Sequence, residues 1–200
     1  MTQNTSAQPL IHGGAQTPRA ALPHLPPLAL YIHIPWCVRK CPYCDFNSHT
    51  ASKVLPEEEY VDALLADLDQ DLHAVYGREL SSIFFGGGTP SLFSAAALGR
   101  LLKGVEQRIP FAGDIEITLE ANPGAAEQQR FSGYRRAGVN RLSIGVQSFD
   151  NEQLQRLGRV HDHREAHCAV AMAQRAGFAR INIDLMHGLV EQTAAQALAD

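Results

Sequence analysis

The sequence lacks an excess of positive charge. It has 17 lysine and arginine residues against 21 aspartate and glutamate residues, a net charge of −4. Without a basic field to attract phosphates, we expect no nucleic-acid partner. No run of about 18 apolar residues occurs, so no transmembrane segment is expected. The first residues also lack the charged start and apolar core of a secretory signal. The clustering of cysteines described next favours a reducing compartment, and we therefore expect a cytoplasmic protein.

Cysteine is scarce, with only four residues, but its distribution is informative. Cys37, Cys41 and Cys44 form a C-x3-C-x2-C pattern, whereas Cys168 lies far away. Such clustering favours metal or redox chemistry in a reducing compartment over structural disulfides. Three thiolates on one loop can bind three irons of an iron–sulfur cube and leave the fourth iron open to a small molecule.

Two other interpretations of these cysteines are possible. One is a zinc site with His33 or His49 as the fourth ligand, although zinc sites normally contain a second ligand pair at a matching spacing. The other is a dithiol redox pair, since residues 41–44 read Cys-Pro-Tyr-Cys. The dithiol interpretation leaves Cys37 without a role and does not explain the glycine run described below. The iron–sulfur interpretation is therefore favoured.

The chain alternates between short apolar runs and helical patterns. Residues 1–27 are rich in proline and polar residues and are predicted to be a flexible tail, with one core over residues 28–200 that is incomplete at its C-terminal end. Strands are predicted at residues 28–34, 81–85, 115–119, 141–146 and 181–186. Helices are predicted from Pro56 onwards and at residues 95–107, 125–137, 152–157, 164–176 and 193–200. Five such units in series predict an α/β fold with parallel strands, as a barrel or an open sheet.

Polar and glycine residues follow the carboxyl ends of these strands, where α/β proteins build their sites. A Gly-Gly-Gly-Thr-Pro run at residues 86–90 fits neither phosphate-loop pattern and suggests close approach of the backbone to a ligand. Glu120, Gln147, Arg159 and Asp184 follow or end later strands. Together they supply acceptors, donors and one cation that could hold a zwitterionic, sugar-bearing ligand.

A second group of metal-ligand types occurs at His161, His163, His167 and Cys168. We interpret the first two as residues of a polar turn before a helix, and Cys168 as a small core residue on that helix. Trp36 is interpreted as a packing residue beside the cysteine loop.

Taken as a set, the motifs resemble those of the radical S-adenosylmethionine superfamily, and within it the oxygen-independent coproporphyrinogen III oxidase family. The resemblance spans residues 28–192. Its motifs are YIHIPWC at residues 31–37, GGGTP at 86–90, EANP at 120–123, GVQSF at 145–149, LGR at 157–159 and DLM at 184–186.

The resemblance implies an incomplete parallel (β/α) barrel in which Cys37, Cys41 and Cys44 bind a [4Fe–4S] cluster. The open iron would chelate the amino and carboxylate groups of S-adenosyl-L-methionine, which is then cleaved by one electron. The positions that match the family's contacts with S-adenosylmethionine are Tyr31, Tyr43, Gly87, Gly88, Thr89, Glu120, Gln147, Arg159 and Asp184.

Two positions depart from the family pattern. The oxidases have a further cysteine where this sequence has Phe46, and the Asp-Phe-Asn-Ser version resembles an oxidase-like subfamily regarded as heme chaperones. Val190 replaces the usual proline after Gly-Leu. We therefore expect a heme chaperone with a heme or porphyrin ligand, a heme acceptor protein and an electron donor. The alternatives are a coproporphyrinogen III dehydrogenase of heme biosynthesis and, more distantly, a dithiol redox protein using Cys41 and Cys44.

Overall fold

The structure, a computed structural model, describes residues 25–52, 54–124, 127 and 129–200. Its strands are β1 (Leu28–Ile34), β2 (Trp36–Cys37), β3 (His49–Thr50), β4 (Leu80–Gly87), β5 (Phe111–Ala121), β6 (Arg141–Gln147) and β7 (Arg180–Leu185). Its helices are α1 (Glu57–Asp71), α2 (Ala95–Glu106), α3 (Phe131–Ala137), α4 (Asn151–Arg156), α5 (His163–Arg175) and α6 (Ala194–Ala199). Single 3₁₀ turns occur at Leu72–Ala74 and Pro90–Leu92.

Five strands form one parallel sheet in the order β1-β4-β5-β6-β7. Each strand pairs with the next long strand of the chain, and at least one helix lies between them, so the predicted α/β fold with parallel strands is confirmed. Among the described residues, β1 and β7 are sheet edges and do not pair with each other, which gives an open arrangement. All five carboxyl ends lie at the same edge of the sheet, as parallel pairing requires.

Apolar side chains of the strands and one face of each covering helix form the core. Phe85, Leu119 and Ile144 of the central strands are fully buried. The buried face of α2 includes Leu98 and Leu101, and burial of one such side chain contributes about 1.5–3 kcal/mol. The helix begins after Ser94, whose hydroxyl accepts the Ala97 N–H at 3.1 Å.

The cysteine loop is closed at its base by β2 and β3. Trp36 pairs with His49 and Cys37 with Thr50 in this two-stranded ribbon. The Ala51 N–H donates to the Cys37 carbonyl at 2.8 Å. The loop over residues 38–48 therefore leaves and re-enters the fold at adjacent points, directly after β1.

The structure describes only part of some predicted segments. Of the predicted tail, residues 1–24 lie outside the described residues, and residues 25–27 have no regular structure. In the helix predicted at 125–137, residues 125, 126 and 128 lie outside them, and α3 covers the second half. Among the described residues, no helix combines the length and apolar content needed to cross a membrane.

Candidate functional site

A cavity of about 590 Å³ opens at the carboxyl ends of the strands. It is bounded on one side by the cysteine loop and on the other by the residues that end β4, β5, β6 and β7. The predicted site residues on its lining are Cys37, Cys41, Tyr43, Cys44, Gly87, Gly88, Thr89, Glu120, Gln147, Arg159 and Asp184. Eleven of the twelve predicted positions thus face one space.

Tyr31 is the twelfth position and lies outside that lining, on β1. Its hydroxyl contacts Nδ1 of His33 at 2.9 Å, and His33 Nε2 contacts the Asn47 carbonyl at 2.8 Å. Because a carbonyl can only accept, Nε2 carries the proton and Tyr31 donates to Nδ1. Burial, and next the nearby Glu120, raise the pKa of Tyr31.

The three loop cysteines are free thiols suited to a cluster. Cys37 is buried, Cys41 and Cys44 are half-buried, and the Cys44 N–H donates to the Cys41 carbonyl at 3.1 Å in a tight turn. In an iron–sulfur cube each thiolate binds a different iron, so the sulfurs need to surround a volume and not a single ion. The cavity beside the three thiols provides that volume, and the donor set fits a [4Fe–4S] cluster.

The zinc alternative gains no support. In the part of the chain that the structure describes, no three His, Cys, Asp or Glu side chains are grouped to hold one metal ion. Both ring nitrogens of His33 already have hydrogen-bond partners. His49, the other suggested ligand, is exposed on β3.

The glycine run lies directly against β1 and the cysteine loop. The Gly88 N–H donates to the Ile34 carbonyl at 2.8 Å, and the Thr89 N–H donates to the Trp36 carbonyl at 2.7 Å. Gly87 has a φ of +115°, and a Cβ there would lie 2.7 Å from the ring of His33. Both its conformation and its surroundings thus require glycine. The run brings the backbone to the edge of the cavity.

Two carboxylates face the cavity from β5 and β7. Burial, together with the nearby charge of Asp184, raises the pKa of Glu120 from 4.5 to about 7, although an N–H of Gly87 partly opposes the shift. Asp184 accepts hydrogen bonds from Ser143 at 3.2 Å and from Asn182 at 2.6 Å. Paired acceptors of this kind suit ligand hydroxyl and ammonium groups.

Arg159 reaches the cavity from the loop after α4. Its Nη2 donates to the Asn122 side-chain oxygen at 2.6 Å and to the Gly145 carbonyl at 2.5 Å. Its Nη1 lies 3.8 Å from the Cys41 sulfur. Its Nε is buried without a hydrogen-bond partner among the described residues. Arg159 therefore places positive charge between the cysteine loop and the strand ends.

Gln147 ends β6 in an unusual conformation. Its φ is +71°, which is uncommon for a residue other than glycine. The Met186 N–H donates to its carbonyl at 2.8 Å, and the pairing with β7 shifts register at this point. This fixed, sparsely populated conformation at a strand end is typical of a functional position.

The sequence reasoning missed several cavity residues. Ser143 and Asn182 lie within predicted strands, and only the alternation of side chains along those strands indicated which face they occupy. Asn122 was noted only as part of the EANP motif. Glu127 is 93% buried, accepts from Ser91 and from the Asn122 N–H, and also lines the cavity. Burial raises its pKa, which those hydrogen bonds and two arginines partly offset.

One interpretation of the second histidine group was wrong, and another needs detail that the sequence did not supply. Cys168 is exposed, because the buried residues of α5 are Ala166, Ala169 and Ala173, and Cys168 lies on another side of the helix. His161 precedes α5, as predicted, but its side chain is only 5% exposed, with Nε2 donating to the Val146 carbonyl at 3.0 Å. Burial and the charge of Arg159 lower its pKa to about 4, so the ring is neutral.

Trp36 packs as predicted. Its ring stacks on Phe93 with centroids 5.7 Å apart and meets the edge of Tyr60 at 4.7 Å. This aromatic group lies beneath the base of the cysteine loop and fixes where the loop leaves the core.

Comparison with known proteins identifies the class. The model of the radical SAM superfamily matches residues 31–200. The chain therefore belongs to the radical SAM superfamily, whose members use a [4Fe–4S] cluster and S-adenosylmethionine. The dithiol alternative is left without support.

Among curated proteins, the chain is 58% identical over 176 residues to the heme chaperone HemW of Escherichia coli, covering 88% of this chain and 47% of that protein. It is 55% identical over 183 residues to HemW of Haemophilus influenzae, covering 90% of this chain and 48% of that protein. It is also 43% identical to the mitochondrial radical S-adenosyl methionine domain-containing protein 1 of Bos taurus, covering 90% of this chain and 40% of that protein.

Among solved structures, the chain matches the coproporphyrinogen III oxidase HemN of Escherichia coli, described as a radical SAM enzyme, with a TM-score of 0.77 and 34% identity. The match covers 86% of this chain and 40% of that one. The fold is therefore that of the radical SAM core. The chain spans about half the length of the curated relatives.

Proposed function

We propose that this chain is the cluster- and S-adenosylmethionine-binding part of a heme chaperone. The observation that carries the proposal is the single cavity into which three loop cysteines and eight further predicted positions project. The 58% identity to a protein named as a heme chaperone favours that function over others of the superfamily.

The chain's own residues have distinct parts in this proposal. Cys37, Cys41 and Cys44 hold the cluster, which with S-adenosylmethionine supplies one-electron reductive cleavage. The backbone of the glycine run forms the wall against which the ligand lies. Glu120 and Asp184 accept hydrogen bonds from its hydroxyl and ammonium groups. Arg159 lies beside the cysteine loop, where its positive charge balances the cysteine thiolates and the carboxylate of S-adenosylmethionine.

Phe46 favours the chaperone over the oxidase. The oxidase family has a cysteine at this position, and here the side chain lines the cavity with 61% of its surface exposed. A phenyl ring can neither bind a metal nor transfer a proton, so this chain lacks the chemistry that a cysteine at this position could provide in the oxidases. The resemblance to HemN keeps coproporphyrinogen III dehydrogenation as the second candidate.

The partners belong to the same proposal. A heme chaperone binds heme or a related porphyrin, passes it to an acceptor protein and requires an electron donor for its cluster. Because the chain spans about half of its relatives, we propose these contacts for the whole protein and not for this part alone.

The decisive experiment gives the full-length, anaerobically reconstituted protein two substrates in parallel. One sample receives coproporphyrinogen III with S-adenosylmethionine and a reductant, and a second is titrated with heme. We expect stoichiometric heme binding without porphyrinogen turnover. Formation of protoporphyrinogen IX would overturn the chaperone-only function and support the dehydrogenase.

A further inference from the structure

Asn122 connects three separate segments that border the cavity. Its side-chain oxygen accepts from Arg159 Nη2 at 2.6 Å, and its side-chain nitrogen donates to the Thr89 hydroxyl at 3.2 Å. A guanidinium can only donate, so the amide can face these partners in one orientation alone. The glycine run, the end of β5 and the loop after α4 therefore meet at this one side chain.

Asn122 is itself held by a buried carboxylate. Its N–H donates to Glu127 Oε2 at 2.8 Å, and the Ser91 hydroxyl donates to the same oxygen. Glu127 is 7% exposed and Ser91 is fully buried, so both bonds are shielded from water. A buried carboxylate held by short polar contacts costs free energy unless all of these contacts form together. This coupling fixes the backbone at Asn122.

We propose that Asn122, held by Glu127, is a positioning residue that presets Thr89 and Arg159 for the ligand. This inference rests on the proposed S-adenosylmethionine site. Without the Asn122 contact, Arg159 would keep only its bond to the Gly145 carbonyl and its approach to Cys41. Its long side chain would then be less ordered before the ligand binds, and the added loss of freedom on binding would weaken affinity. With the Asn122 contact, the guanidinium is already oriented beside Cys41.

The test measures S-adenosylmethionine affinity of the anaerobically reconstituted full-length protein by equilibrium dialysis. Asn122→Ala should weaken binding roughly tenfold to a hundredfold, the usual range for a lost hydrogen bond to a charged group. It should retain the iron content and visible absorbance of the wild type. The change in the reduced cluster's electron paramagnetic resonance spectrum on adding S-adenosylmethionine should diminish in parallel. Asn122→Ser, too short to reach both partners, should behave in the same way if the alanine variant does not fold.

Asn140 provides a matched control. Its side chain also makes two hydrogen bonds, accepting from the Ile117 N–H at 2.8 Å and donating to the Ile115 carbonyl at 2.7 Å. These lie along β5 away from the cavity lining. Asn140→Ala should lower thermal stability and leave S-adenosylmethionine affinity unchanged, which separates positioning from general destabilisation.

The outcomes distinguish the two proposals. A wild-type protein that carries a cluster but binds no S-adenosylmethionine would overturn the proposed function and this inference with it. If the wild type binds S-adenosylmethionine and the Asn122 variants bind it equally well with full iron content, only the positioning role of Asn122 would be overturned. Equal weakening by Asn122→Ala and Asn140→Ala would also overturn it, because the effect would then be structural.

Discussion

Gly88 lies against the backbone of Trp36 so closely that no side chain fits between them. A Cβ on Gly88 would be 2.6 Å from the Trp36 carbonyl oxygen and 2.8 Å from the carbonyl carbon of Pro35. The next residue, Thr89, donates its N–H to the same Trp36 oxygen at 2.7 Å. The wall of the cavity and the base of the cysteine loop are therefore one packed unit, and displacement of one moves the other.

Gly88→Ala is expected to disturb both parts of the site. The atoms that the methyl group would meet are backbone atoms, which cannot rotate away, so we expect a loss of roughly 1–3 kcal/mol in the free energy of unfolding. Chemical denaturation measures this loss, and iron binding after reconstitution should fall with it. Gly113→Ala is the control, because a Cβ at Gly113 meets nothing within 4 Å. Equal stability of the two variants would contradict the close contact.

The apolar runs of the sequence predicted the bounds of two strands closely. β1 was predicted at residues 28–34 and has those bounds, and β6 extends one residue beyond its predicted end. β5 begins at Phe111 and not at Ile115, because residues 111–114 contain no apolar run and the strand is extended by the pairing of Phe111 with Leu80 of β4, across a shift in register. Such pairing depends on residues far apart in the chain, which local patterns do not encode.

The candidate site was predictable from motifs, but its internal contacts were not. The spacing of the cysteines, the glycine run, the strand-end polar residues and the family resemblance together indicated eleven positions that line one cavity. Local sequence patterns could not predict the pairing of Cys37 with Thr50 or the hydrogen bonds of Glu127. Each depends on contacts between segments that are separated in the chain. Cys168 illustrates the opposite error, since apolar neighbours in sequence do not make a helical residue buried when it lies off the buried face.

Tyr134 supports the turn that follows the glycine run. Its fully buried hydroxyl donates to the Ser91 carbonyl at 2.5 Å and lies 3.2 Å from the Phe93 carbonyl, and burial raises its pKa to about 12. Tyr134→Phe removes this donor without changing the ring, so we expect a loss of about 1–3 kcal/mol in unfolding free energy. Tyr76→Phe, at a residue 75% exposed, should have no measurable effect. Unchanged stability of Tyr134→Phe would show that the hydrogen bond is not formed.

The raised pKa of Glu120 leads to a specific prediction for how the free energy of unfolding depends on pH. Its pKa is about 7 in the folded protein against an ordinary value of 4.5, chiefly because of burial and next because of Asp184. Between these two values the folded state binds more protons than the unfolded state, so the free energy of unfolding falls as pH rises. Glu120→Gln cannot ionise and should remove this part of the decline. Above pH 7 the variant should therefore be more stable relative to the wild type than below pH 4.5.

Denaturation curves across that pH range test the assignment, with Glu116→Gln as the control. Glu116 lies on the same strand but pairs with Arg141 and Arg180 and does not contribute to the raised pKa of Glu120, so its replacement should leave the decline due to Glu120 in place. A wild type and a Glu120→Gln variant with parallel pH profiles would contradict the raised pKa.

The cysteines give the most direct prediction, because the chain contains its own control. Anaerobic reconstitution with iron and sulfide should give about four irons per chain and a broad visible absorbance. Cys37→Ala, Cys41→Ala and Cys44→Ala should each lose that absorbance, since each removes one of three thiolates that border the cavity. Cys168→Ala should retain it, because this exposed thiol lies on α5 and outside the cavity lining. If all three loop variants kept the absorbance and iron content of the wild type, the cluster assignment would fail, and with it the proposed S-adenosylmethionine site.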